Sequence, residues 1–256
     1  MHPRLLLLLS ISVLALSPET FAQAQQTPSP QTIVRQDGGE SGRMESVFFP
    51  PKAGAPFTLT LATEWSRPLG NGGSFTLVNE RHIMRDQSGR IYQERWLLVP
   101  KGGKIQSRMD IFQITDPHRH TWYNCAPEHK VCDLYRYSLT TQAEYPPAIR
   151  DSGPLSNGNG FHQHEDLGLS ASNGVETHGY RETTTINAGV MGNDKPMVTT
   201  REFWYSPQLG FNLESTVETP QTGKQVFTAK ELSTSAPDPS FFAVPEGYKI
   251  VDRTHE

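Results

Sequence analysis

The run Phe161-His162-Gln163-His164-Glu165-Asp166 is the densest collection of chemistry-bearing side chains in the sequence. His162 and His164 stand at i and i+2, which puts both imidazoles on one side of an extended strand, where they can share zinc or copper. A catalytic zinc takes three protein ligands, and Glu165 falls on the opposite side. The third would come from a distant His118, His120 or His178, none at a diagnostic spacing. Two ligands fall short of a site, so the pattern predicts no metal, and a metal-dependent envelope enzyme using His162 and His164 is the alternative reading. Asp116-Pro117-His118-Arg119-His120 pairs a carboxylate with imidazoles, but Asp-Pro opens turns, and a hairpin bend explains these residues without chemistry. The dipeptides Arg181-Glu182 and Arg201-Glu202 could exchange ion pairs across neighbouring strands. Neither Gly70-Asn71-Gly72-Gly73 nor Gly158-Asn159-Gly160 carries the phosphate-loop pattern, and no G-x-S-x-G elbow accompanies the serines. The sequence therefore predicts no catalytic residue and no cofactor.

Cys125 and Cys132 sit seven apart, flanked by Trp122, Tyr123, Val131, Tyr135 and Tyr137, with Pro127 between them. That reads as two strand ends joined by a turn and closed by a disulfide, the state favoured in an oxidising compartment. A redox pair would favour tighter spacing such as C-x-x-C, and two Cys with His129 do not complete a zinc site.

The elements that must hold these groups are strands. Phe57, Leu59, Leu61 and Trp65 alternate with Thr58, Thr60 and Glu64, the period of a sheet with one buried face. Further strand signals cover Phe75–Arg85, Ile91–Val99, Ile105–Thr115, Val175–Ile186, Met197–Tyr205, Phe211–Val217 and Gln225–Leu232. Between 105 and 115 the apolar phase slips from Met109 and Ile111 to Phe112 and Ile114, which predicts a β-bulge or sharp twist. Residues 142–160 read as the longest irregular stretch. No segment holds a helical period over three turns, so the fold class is all-β, an antiparallel sheet.

Among 256 residues there are 12 Phe, 8 Tyr and 4 Trp, too many aromatics for a disordered chain. Their number predicts a folded core. Twenty-three Lys and Arg stand against 27 Asp and Glu, a net charge of −4 that offers no basic patch to a phosphate backbone and excludes nucleic acid as a partner. Arg4, the apolar run Leu5–Leu16 and the small-residue sites at Ala22 and Ala24 form a secretory signal peptide. The run is too short to span a bilayer, so no transmembrane segment is expected in the mature chain. The organisation predicted is a signal peptide over 1–22, a flexible arm over 23–44 and one β domain over 45–252. The location expected is periplasmic or extracellular.

The segments Asp86–Trp96, Gly179–Ile186 and Arg201–Pro207 resemble a family of secreted bacterial proteins with no assigned function. The tail Pro237–Tyr248 is similar to the ending of proteins related to the lipoprotein-carrier (LolA/LolB-like) superfamily. That resemblance implies a strongly curved sheet, an incomplete barrel, whose concave face holds acyl chains or a partner segment. Phe57, Leu59, Leu61, Trp65, Tyr135, Tyr137, Phe211 and Leu213 are the side chains expected to face inward. Such a sheet leaves a face short of cover, to be filled by a helix without a clear sequence signal, the 142–160 loop, the N-terminal arm or a ligand. The function expected is non-enzymatic binding of a hydrophobic molecule or an envelope protein; a purely structural module is a further alternative.

Overall fold

The computed structural model describes residues 47–137 and 150–255. The expected signal peptide, the N-terminal arm and residues 142–149 of the long loop lie outside them. The described chain opens with β1 (Phe57–Pro68), β2 (Ser74–Arg85), β3 (Ile91–Trp96) and the two-residue β4 (Val99–Pro100). It continues through β5 (Met109–Asp116), β6 (Thr121–Ala126) and β7 (Val131–Arg136). The second half holds β8 (Gly153–Pro154), β9 (Gly160–Ser172), β10 (Val175–Ile186), β11 (Met197–Ser206), β12 (Phe211–Thr219) and β13 (Gly223–Ser233). Two short 3-10 turns, Ser156–Gly158 and Pro239–Phe242, and the last strand β14 (Lys249–Asp252) complete it.

All of these strands join one open, curved sheet in the order β14-β7-β6-β5-β3-β2-β1-β13-β12-β11-β10-β9-β8, with β4 paired to β2. The chain starts at the centre, walks outward to β7, restarts at the far edge with β8 and walks back to the centre. Every pairing is antiparallel except β14 on β7, which is parallel. The free edges are the short β8, which carries Pro154, and β14, which carries Lys249 and Asp252. Short edges with proline or charge resist pairing with other chains.

β1 is central because its alternation satisfies two neighbours at once. It pairs along its length with β2 and with β13. Phe57, Leu59 and Leu61 point to one face and are at most 1% exposed. Thr60, expected to face water, is also buried, and its hydroxyl donates to Glu231 Oε2 at 3.0 Å. The phase slip in β5 is a bulge: Arg95 pairs Ile111 and Trp96 pairs Met109, which leaves Asp110 without a partner residue across the ladder.

Both faces are covered by irregular chain. On the first face Val47 and Phe49, with Leu209 from the β11–β12 turn, close over Phe57, Leu59, Leu61, Ile83, Phe211 and Leu213. The Phe49 ring lies 4.8 Å from Phe211 and 6.0 Å from Phe57. We call residues 47–56 the strap. On the opposite face of the β2–β7 wing, Phe242, Val244 and Tyr248 of the C-terminal tail cover Met84, Tyr92, Phe112, Ile114 and the cystine. Tail and strap take the place that helices hold in a two-layer fold.

Candidate functional site

The strap is fastened by one buried cation. Arg85 ends β2 and is 0% exposed. Its Nε donates to Ala55 O at 2.8 Å, Nη1 to Pro50 O at 2.7 Å and Nη2 to Leu209 O at 2.6 Å. The guanidinium also sits 4.8 Å over the Phe57 ring. Burial pulls its pKa down to about 10, which still leaves it charged at neutral pH. Lys52 adds an outer fastening, donating to Pro207 O at 2.7 Å and Gln208 O at 2.9 Å. Arginine suits this task because its planar fork reaches several carbonyls at once.

Of the eight residues expected to face inward, Phe57, Leu59, Leu61, Phe211 and Leu213 meet in one cluster beneath the strap. Trp65 is buried farther along β1, its Nε1 donating to Thr222 O at 2.6 Å. Tyr135 lies in the far wing, stacked on Trp122 at 4.7 Å. Tyr137 packs beside His120 at 5.9 Å and is not brought to the others. A separate cavity of about 380 Å3 opens at the hairpin ends near Arg67, Val198, Glu218 and Lys224, and none of the eight lines it.

Farther out on the same face the cross-strand row runs His164, Glu182, Arg201, Val217, Gln225, Trp65. His162 and His164 therefore do share a side of β9, while Glu165 points to the other and pairs with Arg181. His162 is 6% exposed. Its Nδ1 lies 3.1 Å from Thr184 Oγ1, and its Nε2 is buried without a hydrogen-bond partner. His164 stacks on Tyr180 at 5.6 Å, and its Nδ1 is likewise buried and unpartnered. Each such orphan costs about 1–3 kcal/mol. His178 instead joins a relay, with Nε2 at 2.7 Å from Asp166 Oδ1 and Nδ1 at 2.7 Å from Tyr180 OH. A backbone hydrogen bond from Gly168, then His178, holds the Asp166 carboxyl below the usual range. His118 is far off, at Ser88 O, in the hairpin bend that Asp116 caps. No group of three His, Cys, Asp or Glu side chains suited to a metal is present among the described residues.

Two features have no signal in sequence. One is Glu94, which is buried and accepts from the backbone N of His82 and from Trp96 Nε1, with His82 Nδ1 and Tyr92 OH also in reach. The other is buried Arg81 with half-buried Arg95 near it, where burial first and the Arg95 charge second pull Arg81 down to about 9. The disulfide Cys125–Cys132 links directly opposed residues of β6 and β7, and both are fully buried. The Arg-Glu dipeptides are cross-strand partners as expected, with Arg181 bonded to Glu202 and Glu165.

The fold thus defines a class: an open, curved, all-β sheet with irregular covers on both faces. Neither family models nor curated proteins match the chain. Solved structures similar to it include an uncharacterized conserved protein from Thermus thermophilus, at 8% identity and TM-score 0.39, covering 78% of this chain and 91% of that one. MucB is similar at 14% identity and TM-score 0.34, over 77% of this chain and 60% of its own. The lipoprotein LppX of Mycobacterium tuberculosis is similar at 12% identity and TM-score 0.23, over 70% and 88%. No helix among the described residues is long and apolar enough to cross a membrane.

Proposed function

We propose that the chain is an exported, non-enzymatic envelope protein that binds an acyl chain or similar apolar molecule on the strap face. The observation that carries this reading is the nature of the cover. The apolar face of Phe57, Leu59, Leu61, Ile83, Phe211 and Leu213 is closed by an irregular segment whose side chains lend it two apolar plugs, Val47 and Phe49. Its side-chain fastenings, Arg85 and Lys52, end on backbone carbonyls, and the Gly54 amide donates to Gln87 O. A cover of that kind can lift without breaking the strand ladders. An alkyl chain entering under it would recover about 0.8 kcal/mol per buried CH2, offset by the loss of the Val47 and Phe49 contacts and by ordering costs.

The test is binding of a fluorescent fatty acid to the mature protein. Lys52→Ala and Phe49→Ala, each checked for folding by circular dichroism, should raise probe affinity by loosening the cover. An exposed control away from the strap and from the cavity at the hairpin ends, Lys104→Ala, should leave it unchanged. Absence of binding in wild type and in both loosened variants would remove the acyl-chain reading.

A further inference from the structure

The strap-face wing holds a second candidate site, independent of the acyl-chain reading. We propose that His162 and His164 anchor a divalent transition-metal ion of the imidazole-binding class, with Cu2+ bound more tightly than Zn2+. The argument starts from the orphaned nitrogens. His162 is more than nine-tenths buried, and its Nε2 has no hydrogen-bond partner. Two residues on, His164 Nδ1 is also buried without one. Both rings project from the same side of β9. Buried polar groups in folded proteins are nearly always satisfied, so two unmet imidazole nitrogens on one side of a strand point to a ligand that both can serve.

The surroundings suit a cation. His162 Nδ1 lies 3.1 Å from Thr184 Oγ1, and in the tautomer whose Nδ1–H donates to that hydroxyl the Nε2 lone pair is left for a metal, the arrangement by which outer partners orient metal-binding histidines. The Tyr180 ring holds the plane of His164 by stacking. Glu182 stands directly across from His164 in the β9–β10 register, with Arg201 as its neighbour on the other side, so it is the carboxylate nearest in register to the two imidazoles. Among the described residues no three such ligands are gathered as the side chains lie, so the two nitrogens are the anchors, and Glu182 or water completes the shell. Cu2+ leads because imidazole sites follow the general order of divalent affinities, in which copper stands above zinc. His178 is committed to Asp166 and Tyr180 and is not a ligand.

Calorimetric titration of the untagged mature protein with CuCl2 and with ZnCl2 tests the proposal. One Cu2+ per chain should bind, and Zn2+ should bind the same site more weakly. Either His162→Ala or His164→Ala should weaken copper at least tenfold. Thr184→Val, which removes the orienting hydroxyl, should weaken it roughly tenfold. His129→Ala, in the exposed turn between β6 and β7, should stay within about twofold of wild type, the scatter expected where no ligand is lost. Electron paramagnetic resonance of the wild-type copper complex should show coupling to two imidazole nitrogens, a readout that stands even if His162→Ala does not fold. Sub-stoichiometric binding in wild type, a spectrum without nitrogen coupling, or full copper affinity in folded His164→Ala would overturn the assignment.

Discussion

Replacing Arg85 by methionine tests what holds the strap. The variant keeps an unbranched apolar stem beside Phe57 but loses three charge-assisted hydrogen bonds, to Ala55 O, Pro50 O and Leu209 O. Each contributes about 1.5–3 kcal/mol. Relief of burying a cation returns part of this, while the abandoned carbonyls of Ala55 and Leu209 stay inside. The net loss expected is about 3–5 kcal/mol, in line with about 1–3 kcal/mol for each backbone carbonyl left without its donor. For a domain of this size that lowers Tm by about 6–20 °C. Arg85→Lys should recover little, because an ammonium cannot fork toward three carbonyls. Calorimetry gives the Tm, and hydrogen exchange at the Gly54 amide, which donates to Gln87 O, reports the strap itself. A Tm within about 2 °C of wild type, with unchanged Gly54 protection, would refute the clamp.

Three further outcomes are expected. Cys125→Ser with Cys132→Ser should cost about 2–3 kcal/mol through the short loop it opens, leave acyl-probe binding in place in the folded fraction, and show in wild type two thiols that alkylate only after reduction. Gly179→Ala should destabilise by about 1–3 kcal/mol, since a Cβ there would meet the Trp204 ring at 2.6–2.7 Å; a Tm equal to wild type would show that the indole yields freely. Burial pushes the Asp86 carboxyl up, but hydrogen bonds from Ser88 and Arg90 and the Arg90 charge outweigh it and hold the pKa below the usual range. Its stabilisation is therefore present above the ordinary Asp pKa and lost as pH falls through the lower folded value. Urea titrations of Asp86→Asn and wild type should converge at the acid end; a gap that persists there would contradict the sign.

What is legible in the sequence is whatever one strand can say about itself. The alternation in β1 and β12 and the turn residues around β2, β10 and β11 predict strands because period-two burial is a local pattern. β9 carries no such signal, since Gln163, Glu165 and Asp166 give it no apolar face; its ladder with β10 decides its conformation. The long-range facts are silent. Nothing in Arg85, a charged residue at a strand end, announces a buried clamp between the strap and the turn before Phe211. Phe241 and Phe242 stand out in sequence only through the resemblance of the tail. Their place over the β2–β7 wing needs the chain to return from the centre of the sheet. Tyr135 and Tyr137 share the inward parity of β1 but stand in the far wing, because parity fixes a face and not a place on it.

The central claim is that the strap face takes an apolar guest, and native mass spectrometry of the mature protein, purified after export, tests it most directly. The account predicts a lipid-sized adduct on the folded ions, released by collisional activation and more abundant in Phe49→Ala and Lys52→Ala. Ligand-free ions alone in all three proteins, with no adduct after incubation with fatty acid, would contradict it.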